Sequence, residues 1–108
     1  MILVEFLASP IRNAWLEEPG MAVYVRKAYR VIDGVALHCL DIANIEVQLE
    51  LQRHGVFKNW LALAEKHGAG VFECVYVENV HNEHLPAFLE RNGYDRVKHT
   101  PSYFKVLS

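Results

Sequence analysis

The chain carries the stretch DIANIEVQLELQRHGVFKNWLALAEKH from residue 41 to residue 67. It begins as an apolar, β-branched run that ends in polar residues, which is typical of a buried strand. Its last part repeats apolar side chains at the three- and four-residue spacing of an amphipathic helix. Gly55 lies between the two parts. The stretch therefore predicts a strand, a short loop and a helix that begins at a glycine.

The start of that helix is a candidate anion site. The first turn of a helix has backbone N–H groups without intrahelical acceptors and carries partial positive charge. A glycine lets the backbone approach a ligand closely or adopt a positive φ. Donors at Gln52, Arg53, His54 and Lys58 flank Gly55. An ordinary connecting turn has the same glycine, so this spacing alone leaves both readings open.

Length and composition indicate one domain, residues 1–108, in the cytoplasm. A net charge of −2 and scattered basic residues predict no nucleic-acid partner. Charged residues interrupt every apolar run before the roughly 20 residues of a membrane span, so we expect no membrane partner. Met1–Ala8 lacks a basic start and contains Glu5, unlike a signal peptide. Cys39 and Cys74 are expected to be buried reduced thiols.

No metal site is expected from the histidines. His81 and His84 stand at i, i+3 near a helix start, and no matching Cys/His pair would complete a tetrahedral zinc site. We therefore interpret both as surface histidines near a helix cap, and His38 on a central strand as a core residue.

The element pattern predicts a short N-terminal segment, residues 1–20, followed by a core over residues 21–107. In the N-terminal segment we expect a strand over 2–6 and a helix over 11–18, closed by Pro19-Gly20. Asp33-Gly34 between two β-branched runs predicts a hairpin. The remaining elements follow in chain order: strands 21–32 and 35–47, helix 55–67, strand 71–77, helix 83–92, and strands 94–99 and 102–107.

The strand over 35–47 is expected to be central. Its odd-numbered residues, including Asp41, Ile45 and Val47, would line one face and its even-numbered residues the other. Both faces are largely apolar, so the strand should be covered on both sides, with polar residues only toward its end. Strand 35–47, helix 55–67 and strand 71–77 form a β-α-β crossover with parallel neighbours.

Residues 21–107 resemble the GNAT-type N-acetyltransferase superfamily. Its acetyl-CoA motif, Gln/Arg-x-x-Gly-x-Gly/Ala, follows a central strand that ends in a pattern like Ile45-Glu46-Val47. Gln52 and Gly55 match that motif, whereas Phe57 replaces its last small residue and Arg53 stands where many members have glycine. Asn82 with Gly93-Tyr94 resembles a second family element, Asn … Gly-Phe.

The resemblance implies an α+β, GNAT-like fold with a central mixed, mostly antiparallel twisted sheet and helices on both faces. It implies that strands 35–47 and 71–77 splay apart at their ends to admit acetyl-CoA. Backbone groups at Ile45, Glu46 and Val47 would bond the pantetheine amides, with Asn82 beside that arm. The pyrophosphate would be held by the turn formed by Gln52, Arg53, His54, Gly55, Val56, Phe57 and Lys58.

The resemblance also implies direct acetyl transfer to an amine of a small molecule or protein. Glu46 is the first candidate for the base and Glu78 the second, although a solvated strand-end carboxylate is the simpler reading of Glu46. Leu89 occupies the position that often carries a tyrosine acid, and Tyr94 or Tyr103 would have to replace it, unless their rings only pack in strands.

An alternative function is a catalytically reduced GNAT-fold protein that binds a partner protein, with or without CoA. Compact, N-terminally shortened versions of the fold resemble those encoded by bacteriophages, for which either role is plausible. The short N-terminal segment also suggests that a homodimer partner completes the acceptor site.

Overall fold

The computed structural model describes residues 1–48, 55–80 and 84–107. In these ranges the chain forms three helices and six strands. They are α1 (Leu3–Ala8), β1 (Asn13–Glu18), β2 (Met21–Ile32), β3 (Val35–Val47), α2 (Val56–Gly68), β4 (Cys74–Val77), α3 (Leu85–Arg91), β5 (Asp95–Arg96) and β6 (Tyr103–Val106).

The strands form one six-stranded sheet in the order β1-β2-β3-β4-β6-β5. β3 and β4 are parallel, and the other neighbouring pairs are antiparallel. The parallel pair needs a crossover connection, which α2 supplies. The mixed sheet and this β-α-β unit confirm the predicted fold class.

The hairpin between β2 and β3 is confirmed at its turn. Asp33 has φ 51° and Gly34 has φ 81°, and positive φ at both central positions defines the turn that matches the twist of two long strands. β2 and β3 are consequently paired from Met21↔Val47 to Ile32↔Val35.

The N-terminal segment contradicts our prediction, because its helix and its strand are exchanged. Leu3 and Phe6, three residues apart, face the core from α1, and Glu5 Oε1 accepts the Ile2 N–H at 3.0 Å. β1 instead alternates its burial about Leu16, with Trp15 and Glu17 exposed, and pairs with β2. The two N-terminal runs are short enough to fit either a helical or a strand spacing. Residues 13–18 form the strand because they pair with the otherwise free edge of β2.

The strands in the C-terminal part of the chain are shorter than predicted. β4 begins at Cys74 rather than at residue 71, and β5 and β6 span only Asp95–Arg96 and Tyr103–Val106. His99 has φ 63°, and the residues between the two strands form a turn in which Thr100 N–H bonds to Val97 O at 3.1 Å. Gly93, with φ 87°, follows the end of α3 as expected.

A β-bulge changes the predicted faces of β3. Tyr24 pairs with Asn44 but Val25 pairs with Ile42, so Ala43 is an extra residue. Ile45 and Val47 therefore pack against the same core as Leu40 and Ile42. The strict alternation that placed Ile45 and Val47 on the Asp41 face was wrong beyond Ala43.

The two faces of the sheet are covered differently. The main core includes Leu3 and Phe6 of α1, Trp60 of α2 and Leu89 of α3. A second, smaller cluster on the opposite face contains Ile32, Cys39, Cys74 and Tyr76, with Leu37, Val97 and Phe104 packed against it. In the described ranges all three helices contribute to the main core, so the detail of helices on both faces is corrected. We call these the helix face and the open face.

No helix within the described ranges is long and apolar enough to span a bilayer.

Candidate functional site

A cleft opens where β3 and β4 stop pairing. Their parallel register runs from Cys39↔Cys74 to Ile42↔Val77 and ends there. Beyond it, Glu78 N–H still bonds to Ile42 O at 2.9 Å. The segments that follow these paired residues of β3 and β4 then separate, as the resemblance implied.

The separation has a visible backbone cause. Asn79 adopts a left-handed conformation with φ 49°, which turns the chain away from β3. Its N–H donates to Ser102 Oγ at 3.2 Å, and Val80 N–H donates to Pro101 O at 2.7 Å. The segment after β4 is thus fixed to the loop before β6, while the Ala43 bulge bends β3 on the other side.

The cleft has a volume of about 190 Å³. One wall is the bulged end of β3, and the other is the segment after β4, with Leu85 of α3 beside it. Its described lining residues are Ile42, Ala43, Asn44, Ile45, Val77, Glu78, Asn79, Val80 and Leu85.

The start of α2 has the geometry expected of an anion site. Gly55 is the N-cap residue and has φ 78° and ψ 10°. A Cβ at Gly55 would have no atom within 4 Å, so the space beside its backbone is open. Asn59 N–H bonds to Gly55 O at 2.9 Å, and the N–H groups before Asn59 belong to the first helical turn, which lacks intrahelical acceptors.

The side chains around Gly55 have separate roles. Phe57 stacks on Trp60, with ring centroids 6.0 Å apart, and meets Phe88 edge-on at 6.5 Å. Phe57 and Val56 are partly buried and pack against the main core, so their backbone groups are what they offer to an anion. Lys58 is exposed. The predicted contacts Gln52, Arg53, His54 and Asn82 lie outside the described residues.

The three predicted catalytic residues are placed differently. Glu78 lines the cleft. Glu46 is exposed and is not one of the described lining residues. Tyr103 is 6% exposed in the main core, opposite Val77, and is likewise absent from that lining. Of the three, the structure brings only Glu78 to the cleft.

Tyr94 is poorly suited to donate a proton. It is 2% exposed, and its hydroxyl donates to Glu65 Oε2 at 2.8 Å. Burial, and next the bond to Glu65, raise the pKa of Tyr94 well above its ordinary value.

A buried carboxylate beside the cleft was not anticipated from the sequence. Asp41 is 0% exposed in the middle of β3, and its Oδ2 accepts a hydrogen bond from Arg30 Nη2. Arg30 Nη2 also lies 3.2 Å from Glu78 Oε2, and Arg26 Nη1 lies 3.6 Å from the same oxygen. The Arg30 guanidinium covers Tyr76 at 4.6 Å from the ring centroid. We call Arg30, Asp41 and Glu78 the carboxylate–arginine cluster.

The cluster perturbs the titration of its buried member. Burial, the largest cause, raises the pKa of Asp41, the hydrogen bond from Arg30 lowers it and the neighbouring Glu78 carboxyl raises it, and the net result is a pKa of about 7. A signal was present in the sequence: Arg26, Arg30 and Asp41 lie in two strands of mostly apolar residues, and the hairpin register places them on one face.

Among the described residues, no group of three or more His, Cys, Asp or Glu side chains is arranged to hold a metal ion. Cys39 and Cys74 are buried free thiols, as predicted.

Comparison with known proteins identifies the fold. No family model matches the chain, and no curated protein matches it significantly. Solved structures do match. A chain of the KacTA–DNA complex has 15% identity over 81% of this chain and 58% of that one, with a TM-score of 0.65.

Two further solved structures support the same identification. A mutant AtaT toxin bound to the C-terminus of the antitoxin AtaR and acetyl-CoA has 14% identity over 81% of this chain and 60% of that one, with a TM-score of 0.62. A GNAT-family acetyltransferase from Staphylococcus aureus Mu50 has 12% identity over 82% and 60%, with a TM-score of 0.58. The chain has a GNAT-type fold, and it spans about three fifths of the length of these matched chains.

Proposed function

We propose that the chain binds acetyl-CoA in the β3–β4 cleft and transfers the acetyl group directly to an amine of a small molecule or protein. The observation that carries this proposal is the cleft itself, because a pair of parallel strands that separates inside a sheet exposes main-chain groups at its inner edges. Buried main-chain groups need hydrogen-bond partners, and a bound ligand can supply them there.

The shape of the cleft fits an extended chain. Its volume of about 190 Å³ is below the roughly 300–1,000 Å³ common for small-molecule pockets, and its walls are two strand ends. Alternate residues of a strand direct N–H and C=O groups to the same side. Backbone groups from Ala43 to Val47, including Ile45 and Glu46, would pair with the pantetheine amides as a neighbouring strand does.

The start of α2 would receive the pyrophosphate. Backbone N–H groups at Val56, Phe57 and Lys58 lie in the first turn, where the helix dipole favours negative charge. Gly55 leaves the adjacent space open. Gln52, Arg53, His54 and Asn82 complete the proposed cofactor contacts.

Acetyl-CoA supplies an activated acetyl thioester when bound. The chain's own contribution is to hold it and to remove the amine proton, for which a carboxylate within reach of the nucleophile is suited. Glu78 is the better placed candidate because it lines the cleft, with Glu46 as the second. Tyr103 would serve as acid only if its buried ring moved.

The alternative is a GNAT-fold protein whose role is to bind a partner. The supporting observation is the exposed apolar tip of the β2–β3 hairpin, where Tyr29 and Val31 are each 73% exposed and Val35 is 55% exposed. Partner binding through the tip would not require the cleft, so ligand binding distinguishes the two functions.

Thermal unfolding with and without acetyl-CoA tests the proposal. A ligand at 100 times its Kd adds about 2.7 kcal/mol to the free energy of unfolding, which raises the melting midpoint of a domain of this size by roughly 10 °C or more. No shift at millimolar acetyl-CoA would contradict the proposal and leave the partner-binding alternative.

A matched pair of glycine variants locates the site. Gly55→Ala adds a side chain where φ is positive and the ligand is expected, whereas Gly70→Ala meets no atom within 4 Å and has no positive φ. We expect Gly55→Ala to reduce the acetyl-CoA shift strongly and Gly70→Ala to preserve it. Equal shifts in both variants would place the ligand elsewhere.

Release of free CoA thiol tests transfer. Spermidine, a lysine-containing peptide and a peptide with a free α-amino group sample the small-molecule and protein acceptors. Thiol release that depends on one of these amines supports transfer, whereas acetyl-CoA binding with no amine-dependent release would favour the reduced, binding form.

A further inference from the structure

The carboxylate–arginine cluster is more than a structural ion pair. Asp41 is 0% exposed, yet its Oδ1 has no hydrogen-bond partner among residues 1–48, 55–80 and 84–107. A buried, ionised carboxylate with an oxygen that lacks a hydrogen-bond partner is unfavourable, and a bound proton removes that charge. Asp41 is therefore a site for a proton inside the fold.

Glu78 connects that site with the cleft. Its side chain is 17% exposed, and the residue lines the cleft. Arg30 Nη2 contacts both carboxyl groups, Asp41 at Oδ2 and Glu78 at Oε2, the latter at 3.2 Å. One guanidinium thus holds two carboxyl groups close together, and the Glu78 carboxyl disfavours ionisation of the buried Asp41.

We infer that Asp41 and Glu78 form a carboxyl pair, bridged by Arg30, in which Asp41 is the member that holds a proton and Glu78 takes the proton of the acceptor amine at the cleft. Glu78 is the catalytic residue, whereas Asp41 and Arg30 are positioning residues that act through it. The inference rests on the proposed transferase function, because it names the base and its partners at that site.

Atoms and charges balance in the resulting reaction. The amine nitrogen bonds to the acetyl carbon, and the C–S bond breaks with its electron pair on sulfur. The acceptor ammonium loses two protons in total: one goes to Glu78 and the other to the departing thiolate. Glu78 returns its proton to solvent between turnovers, through its exposed edge.

Titratable and charged groups surround Asp41 on the open face. β2 places two cations there, β3 and β4 contribute two thiols and one phenol, and the segment after β4 contributes one carboxyl. These groups are Arg26, Arg30, Cys39, Cys74, Tyr76 and Glu78. Burial and Glu78 raise the pKa of Asp41, and Arg30 lowers it. Glu78 is the carboxyl neighbour whose removal should change the pKa of Asp41 most.

Carboxyl-carbon NMR titration of the CoA-free protein tests the pair without any turnover. We expect Asp41 to titrate near neutral pH and Glu78→Gln to move its midpoint to lower pH by about one unit or more, since a like charge is removed. Asp95→Asn, at an exposed position on β5, should leave the Asp41 curve unchanged. The inference would be overturned if Asp41 titrated with a midpoint below pH 5 and that midpoint were the same in wild type and in Glu78→Gln.

Kinetics with acetyl-CoA and the most active amine test the catalytic assignment. Glu78→Gln should lower kcat by about 10²- to 10⁴-fold and leave the acetyl-CoA melting shift intact. Asp41→Asn should keep substantial activity but move the acidic limb of the kcat/KM profile to lower pH, which loss of fold alone would not do. Unchanged kcat in Glu78→Gln, or an unmoved acidic limb in Asp41→Asn, would overturn the assignment.

The two failures are distinguishable. Absence of acetyl-CoA binding would reject the proposed function while the NMR titration could still show the carboxyl pair. Normal binding and turnover with an Asp41 titration that Glu78→Gln leaves unchanged would reject the pair alone.

Discussion

Leu40 and Asp41 are neighbours on β3, both are 0% exposed, and they face opposite sides of the sheet. Leu40 lies in the main core under the helices. Asp41 lies on the open face, where Arg30 contacts it. The same degree of burial therefore has two meanings: on the helix face it stabilises by removing apolar surface from water, and on the open face it holds a titratable group in a perturbed environment.

The largest expected effect is on the helix face. Leu40→Ala should lower the free energy of unfolding by about 2–5 kcal/mol, because it removes packed methyl groups and leaves a cavity. Chemical denaturation at pH 7 measures this change. Leu63→Ala, at a position on α2 that is 50% exposed, is the matched control and should change stability by less than about 0.5 kcal/mol. Similar losses in the two variants would remove the distinction we draw.

The next effect is on the open face and depends on pH. Arg30→Gln leaves two carboxyl groups without their shared cation and should cost about 2 kcal/mol at pH 8. The cost should be smaller at pH 5, where Asp41 holds a proton in the folded state and less charge is left uncompensated. Arg12→Gln, at an exposed position, should be neutral at both pH values. A cost for Arg30→Gln that does not change with pH would show that Asp41 stays ionised.

Asp41→Asn isolates the titration itself. The pKa of Asp41 is raised from 3.8 to about 7 on folding, so the folded state binds the proton more tightly than the unfolded chain does. Its stabilising contribution is complete below about pH 4 and is lost as the pH rises toward 7. Relative to wild type, Asp41→Asn should gain roughly 1 kcal/mol per pH unit across that window.

Denaturation curves at half-unit pH steps measure this difference. Asp95→Asn, which removes an exposed carboxylate, should run parallel to wild type. A constant offset between wild type and Asp41→Asn would mean that Asp41 does not titrate in this range.

The smallest effect is expected at the exposed end of the open face. Trp15 contacts Tyr24 with ring centroids 5.3 Å apart, and Trp15 is 42% exposed. Trp15→Ser should cost about 0.5–1.5 kcal/mol, the range of an aromatic pair, with no dependence on pH between 5 and 8. A larger loss would show that this end of the face is also structural.

The sequence predicted the parts of the fold that have local causes. Asp33-Gly34 fixed the hairpin through its turn geometry, and the apolar spacing of Trp60, Leu61 and Ala64 predicted α2, whose parallel crossover follows from chain order. The N-terminal segment had no such cause: its two runs are short, and long-range pairing with β2 made residues 13–18 a strand.

The candidate site was predicted only in outline. The glycine at the start of α2 and the separating strands followed from the family resemblance, whereas the cluster depended on distance in space. Arg30 and Glu78 are 48 residues apart in the chain, and only the pairing of β2, β3 and β4 brings both to Asp41. The contacts expected at Gln52, Arg53, His54 and Asn82, like the roles of Glu46 and Tyr103, remain predictions.

The extra residue Ala43 decides whether even- or odd-numbered residues of β3 face the helices. Since strand side chains alternate with a period of two, the extra residue lets Leu40, Ile42, Ile45 and Val47 share a face although their numbers are partly even and partly odd. Deleting Ala43 would remove the bulge and join Ile42 directly to Asn44, so Ile42, Ile45 and Val47 would still face the helices and Asn44 and Glu46 the open face. A single-codon deletion here would therefore straighten the strand end that walls the cleft without exchanging its inside and outside, and loss of ligand binding in that variant would be assigned to the bend alone.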